Sequence, residues 1–266
     1  MSPKNPDTQN LAILLRALRL PSFVELHEEV SRRAEKEGWS HQRYLYHLTE
    51  LEIAERERRR IERLLKQSGL PRDKTLDMLD MERFPNRIRR QIPVLCEGGF
   101  VERAENVLVF GLPGRGKTHI VCAIGHELVA RRYRVLFVPT FKLEQRLLVA
   151  KRELTLETEL KKLDRYDAVI LDDIGYIQQD RDEMEVLFTF LGERYERRSV
   201  MITSNLVFSQ WDRIFKDALT TAAAIDRVVH HSTILEVNLK KSYRAEQAQN
   251  RIAKSKTEQS KSKGKQ

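Results

Sequence analysis

The sequence predicts an α/β protein: a parallel sheet flanked by helices, preceded by a small all-helical N-terminal domain. Three observations carry this. From Asn106 onward, short continuous apolar runs alternate with helical stretches, the pattern of parallel strands covered on both faces. Before Asn106 the apolar residues recur only at helical spacing. A glycine-rich turn joins the first apolar run to the helix after it.

Leu11, Leu14, Leu15 and Leu18 mark a first helix, and Pro21 stops or restarts the chain. A second helix runs from an N-cap at Ser40 to about Ser68, with Gly69 and Pro71 as its stop. Leu45, Leu48, Ala54, Ile61, Leu64 and Leu65 form its apolar stripe. The charge run Glu55–Arg63 is its wet face, with DNA contact the lesser alternative. Gly98-Gly99 is the expected boundary. Strands are then expected at Val107–Phe110, Val135–Val138, Ala168–Leu171, Ser199–Thr203 and Ile234–Val237. Helices between them are expected at Thr118–Arg132, Phe141–Leu163 and Asp182–Arg197.

The 266 residues are 41% hydrophobic and 33% charged, the composition of a soluble globular chain with a sizeable core. The longest apolar candidate for a span, Leu11–Leu20, already contains Arg16 and Arg19, and the first residues lack a signal-peptide core. Two cysteines, Cys96 and Cys122, support neither a disulfide framework nor a zinc finger, so a cytoplasmic protein is expected. The histidine pair His230-His231 has no further ligand cluster near it in sequence, and packing or hydrogen bonding is its expected role. Net charge is +9 and unevenly spread: +3 over residues 1–100, zero over 101–240, +6 over 241–266. A basic end attracts nucleic acid or merely solubilises. The expected division is 1–98, 99–250 and a basic, disordered tail at 251–266.

Gly111-Leu112-Pro113-Gly114-Arg115-Gly116-Lys117-Thr118 matches G-x-x-x-x-G-K-[ST] without a mismatch, between a strand and a helix. The glycines let backbone N–H groups converge on phosphates at a helix N-terminus. Lys117 reaches the β- and γ-phosphates, and the Thr118 hydroxyl suits Mg²⁺. Strand 168–171 ends in Asp172-Asp173, beside those phosphates by the topology of open sheets. Asp172 is expected to hold Mg²⁺ and Asp173 to polarise the attacking water. The next strand ends in Thr203-Ser204-Asn205, where Asn205 can sense the γ-phosphate or make a turn. Arg227 and Arg244 are either structural salt-bridge partners or arginines offered to a neighbour's phosphates.

This order of elements resembles the AAA+ ATPases of the initiator and helicase-loader branch, and most closely the IstB type, helper ATPases of insertion sequences. The carrying segments are Asn106–His119, Asp172–Tyr176, Arg194–Glu196, Ile202–Leu206, Trp211, Ile225–His231 and Ser242–Arg244. Leu18–Pro21, Glu50–Glu52 and Leu70-Pro71 resemble that family's helical domain. The resemblance covers about residues 10–250. It implies ATP and Mg²⁺ as ligands, assembly with copies of itself on duplex DNA, and help to a cognate transposase. It also implies that residues 1–98 contact DNA or the partner and that 99–250 is the ATPase domain. Asn205 is then the first sensor, Arg227 the finger and Arg244 the second sensor. In this branch an extra helix after the second strand can track DNA. Here Lys142, Arg146, Lys151, Arg152, Lys161 and Lys162 are its candidates, against a plain solvated helix. Arg115, where a small residue is commoner, and Leu239-Lys240-Lys241 before Ser242, where glycine is frequent, depart from the pattern. The alternatives are a helicase loader of the same branch and, more remotely, a small-molecule kinase, for which no arginine-rich lid is evident.

Overall fold

The computed structural model describes residues 6–175, 181–206, 210–211 and 225–237. The chain divides into two compact units at Arg63/Leu64, inside a long helix, whereas the sequence suggests a boundary at Gly98-Gly99.

The first unit holds α1 (Pro6–Ala17), α2 (Pro21–Glu37) and most of α3 (His41–Ser68). Pro21 restarts the chain: it opens α2, where its missing N–H is no loss. Gly38 closes α2 in the left-handed region, with φ 63°. The carboxylate of Glu52, buried on α3, accepts the Ser22 N–H at 2.8 Å and pairs with Arg56 at 2.7 Å. Burial alone would raise its pKa; the Arg56 and Ser22 hydrogen bonds outweigh that and hold it low. The charge run Glu55–Arg63 pairs with itself: Glu55 accepts from Arg58 and Arg59, and Arg58 also pairs with Glu62.

The second unit is built on five parallel strands, β1 (Asn106–Phe110), β2 (Val135–Pro139), β3 (Ala168–Ile174), β4 (Ser199–Ser204) and β5 (Ser232–Glu236), in the order β2-β3-β4-β1-β5. β1 is wholly buried and β3 is buried over its first four residues, as their apolar runs require. Helices α4 (Asn86–Cys96), α5 (Gly99–Glu102), α6 (Lys117–Ala130), α7 (Thr140–Arg152), α8 (Leu156–Leu163) and α9 (Arg181–Arg194) surround it. α4, for which no element is read between Pro71 and Gly98, buries Ile88, Ile92, Leu95 and Cys96 on one stripe. The expected single helix at 141–163 is two, because Leu154 turns left-handed (φ 57°) with its side chain exposed. α7, α8 and α9 cover one face of the sheet with Leu143, Leu147, Leu163, Leu187 and Phe190. Arg194 is buried there and donates to the carbonyls of Leu163, Tyr166, Asp167 and Ser199 at 2.9–3.4 Å. Burial lowers its pKa to about 10, so it stays charged at neutral pH.

Glu144 of α7 is buried, and desolvation, then the charge of Glu183, pushes its pKa up to about 7. The folded state therefore binds this proton more tightly than the unfolded chain does. The stability it contributes is full below about pH 4.5 and is lost as pH rises through about 7, a shift on the order of 3 kcal/mol. Glu144→Gln should match the parent in thermal denaturation at pH 4.5 and melt several degrees higher at pH 8.

Candidate functional site

β1 delivers the chain at Phe110 into the glycine loop. At Gly111 (φ 151°) a Cβ would lie 2.5 Å from the Val237 carbonyl oxygen, so only glycine passes between the strands here. Gly116, at φ 91°, sits at the N-terminus of α6 with Phe84 packed against it. Lys117, the first residue of α6, is buried, and its ammonium donates to Gly111 O (2.7 Å), Leu112 O (3.2 Å) and Asn205 Oδ1 (2.5 Å).

The two acids stand on a bulge. Leu171 pairs with Ile202 and Ile174 with Ser204, so Asp172 and Asp173 together face Thr203. Thr203 holds both: its Oγ1 donates to Asp172 Oδ1 at 2.7 Å and accepts the Asp173 N–H at 2.8 Å. Asp173 adopts φ 68°, unusual for a residue with a Cβ, and the bulge turns its carboxylate outward. The Asn205 Nδ2 donates to Asp173 Oδ1 at 3.0 Å while its Oδ1 accepts from Lys117. An ammonium only donates and a carboxylate only accepts, so the orientation of this amide is fixed by its neighbours.

Pro113, Gly114, Arg115, Gly116, Lys117, Thr118, Asp172, Asp173 and Asn205 share one cavity of about 540 Å³, the size of a small-ligand site. Its remaining wall is His119 of α6 and the segment from Asp73 to Phe84, with Lys74, Met78, Leu79 and Arg83. Leu112 is exposed at the loop's rim. Arg115 buries its Nε and Nη1 without an acceptor among the described residues, an arrangement that favours an anion in the cavity. Cys122 lies behind the loop as a core residue, its thiol pushed up to about 12 chiefly by burial.

Arg227 is not in this cavity. It is exposed on a helical stretch at 225–230, with its guanidinium over Gly192 of α9. Arg244, Tyr176, Ser242 and the tail lie outside the described residues. Of the six basic candidates on α7 and α8, four are paired. Arg146 and Lys162 bond Glu159, Lys151 bonds Glu185 at 2.8 Å, and Lys161 bonds Glu157 at 2.6 Å. Lys142 and Arg152 make no ion pair among the described residues. The positive field of this surface is therefore smaller than its lysines and arginines suggest.

Two features of the site and one group outside it escape sequence reasoning. Thr203 reads there only as part of a polar strand end, although a hydroxyl one strand from an acid pair is a usable signal. The wall at 73–84 has no periodicity to reveal it. His230 and His231 are not without a ligand cluster: the fold brings Glu196, remote in sequence, beside them.

The profile of the IstB-like ATP-binding protein family matches residues 13–251. An insertion-sequence ATP-binding protein of Sinorhizobium fredii is 44% identical, the match covering 91% of this chain and 81% of that one. The IS21 ATP-binding protein of Pseudomonas aeruginosa is 37% identical over 85% and 86%, and the IS5376 protein of Geobacillus stearothermophilus 36% over 85% and 90%. Among solved structures, DnaI aligns with a TM-score of 0.54 at 21% identity (64% of this chain, 95% of that one). AMPPCP-bound DnaA from Aquifex aeolicus aligns at 0.54 and 18% (70% and 56%). At such identities these two speak for the fold alone, a parallel-sheet AAA+ P-loop NTPase. No helix of the described residues is long and apolar enough to cross a membrane. By profile and by relatives alike, the chain belongs to the IstB-like ATP-binding protein family.

Proposed function

We propose that this protein is an ATP-hydrolysing, DNA-binding ATPase that assembles with copies of itself on duplex DNA and assists the transposase of an insertion sequence in selecting or activating its target. The observation that carries the reading is the Lys117–Asn205–Asp173 chain of hydrogen bonds at the C-terminal edge of the sheet. It links the group suited to ATP phosphates with the group suited to the attacking water. The names of the insertion-sequence relatives support the biological setting.

In this reading the glycine loop and Lys117 hold the β- and γ-phosphates, and Arg115 offers its two unpartnered donors to the same anion. The Thr118 hydroxyl and Asp172 carboxylate supply hard oxygen donors to the cavity, the chemistry that suits Mg²⁺. Bound Mg²⁺ offsets the phosphate charge. Asp173, aimed by Asn205 and Thr203, orients a water and takes its proton as the water oxygen bonds to the γ-phosphorus and the bond to the ADP oxygen breaks. Arg227 serves a neighbour's phosphates, and Arg244 is the second sensor. Residues 1–98 contact DNA or the transposase, with segment 73–84 among them also walling the ATP cavity, 99–250 form the ATPase domain, and 251–266 add basic attraction. Lys142 and Arg152 are the readiest of the α7–α8 cations for phosphate contact, with Arg146, Lys151, Lys161 and Lys162 first having to leave their acids.

Sedimentation with duplex DNA, with and without ATP and Mg²⁺, tests the proposal. A large complex only with all ligands present is expected; a monomer indifferent to DNA overturns it. Two variants extend the test. Thr203→Val should lower kcat by about tenfold to a hundredfold with KM changed little, and Thr203→Ser should recover most of it in a steady-state ATPase assay. Deleting residues 254–266 should weaken DNA binding and flatten its dependence on salt, measured by titration at several salt concentrations.

A further inference from the structure

We propose that Glu196, His230 and His231 form a binding site for a divalent transition-metal ion of the zinc class. One carboxylate oxygen and one ring nitrogen from each histidine lie within 4.8 Å of one another. The His231 Nε2 and Glu196 Oε1 are 3.4 Å apart. Two donors held about 2.0–2.1 Å from a tetrahedral ion are separated by about 3.3–3.4 Å, so this pair already has the spacing of one tetrahedral edge. The two imidazole rings meet edge to face at a centroid distance of 4.2 Å, and a ring nitrogen of His230 stands within 4.8 Å of the other two donor atoms. Two imidazoles and a carboxylate are the borderline donors that zinc, cobalt and nickel prefer over magnesium or calcium. A fourth position remains for water or an outside ligand.

The donors are held from behind by a common support. Asn106, buried at the start of β1, donates its side-chain N–H to Val228 O at 3.1 Å and accepts the Val200 N–H at 2.9 Å. Its own backbone N–H reaches His231 O at 2.7 Å. The stretch carrying both histidines is thus pinned to β1 and β4. Glu196 lies just past the last turn of α9 with φ 56°, and its charge acts on the neighbouring Tyr195 phenol. Glu105, itself paired with Arg103 at 2.7 Å, lies close enough to interact with His231.

Other soft donors compete poorly. Cys96 and Cys122 are buried, and burial chiefly pushes both thiols up to about 12. His27, His119 and His126 engage ring nitrogens with the carbonyls of Phe23, Thr75 and Pro71 at 2.9–3.0 Å. No such carbonyl contact occupies His230 or His231 among the described residues. An ion here would clasp the 225–230 stretch to the end of α9.

The test is calorimetric titration of the full-length, untagged chain with Zn²⁺ in excess Mg²⁺, paired with the visible spectrum of the Co²⁺-loaded protein. One ion per chain is expected, with the intense bands of a four- or five-coordinate cobalt. Glu196→Gln should weaken binding at least tenfold, and His230→Ala/His231→Ala should abolish it. All three side chains are exposed, so circular dichroism should be unchanged, and Glu196→Gln alone decides the matter if the double variant misfolds. No saturable binding, a six-coordinate aqua-type cobalt spectrum, or binding that survives the substitutions would each overturn the assignment. None of these readouts depends on ATP hydrolysis or DNA.

Discussion

Lys117→Ala should cut ATP affinity by about a hundredfold or more and abolish nucleotide-dependent assembly, measured by fluorescent-nucleotide titration and by sedimentation. The side chain is almost fully buried, and its ammonium converges with two loop carbonyls and Asn205 at 2.5–3.2 Å. Charge-assisted hydrogen bonds of this kind contribute about 1.5–3 kcal/mol each. Alanine removes one of the two positive charges that the loop brings to the cavity and leaves only Arg115 of the two to meet the anion. It also releases the Asn205 carbonyl from the partner that fixes its orientation. Asp173 then loses its aim as well, and residual turnover at saturating ATP should fall with affinity. Lys117→Arg should not restore either function, because a planar guanidinium cannot place three donors on the same convergent acceptors. Normal ATP binding by the alanine variant would remove this cavity from consideration as the nucleotide site.

Much of this arrangement is legible in the sequence because it depends on short-range patterns. The apolar runs at 107–110 and 168–171 demand burial on both faces, and the residues after each run must emerge at the same sheet edge. That logic alone brings Lys117, Asp172 and Asn205 together. The rest depends on register and on distant pairing. The bulge at Asp172-Asp173 exists only because β3 slips by one residue against β4, and nothing within either strand announces the slip. The break between α7 and α8 occurs at Leu154, without the glycine or proline that usually signals such a turn. The cavity wall at 73–84 is a run of turns ending in one short 3-10 helix (Met81–Arg83), folded against Gly116 through Phe84. Glu196 and His231 stand on different elements and meet only because Asn106 ties those elements to one strand.

Arg227→Ala should leave ATP affinity within about twofold of the parent and lower turnover in the assembled state by about 10³-fold, the usual worth of an arginine supplied to transferring phosphate. β5 enters the sheet with Ser232 beside Asn106, the first residue of β1, whereas the phosphate loop comes after its last residue, Phe110. The stretch holding Arg227 precedes β5, so it belongs to the edge where the strands begin. A five-residue strand spans about 16 Å, more than an arginine side chain can reach back. Within one chain this guanidinium cannot attend the cavity, and an exposed position on the opposite edge is what delivery to a neighbour requires. Mixing provides the decisive form of the test. Asp173→Asn subunits keep the phosphate loop, Lys117 and an intact Arg227 but lack the group that takes the water's proton, and Arg227→Ala subunits keep an intact cavity, so interfaces joining the two in one order contain every group. Mixed preparations should therefore hydrolyse ATP well above the sum of the separate variants. If Arg227→Ala subunits turned over normally alone, or if mixing restored nothing, Arg227 would be a surface arginine and the shared-site assembly would fail with it.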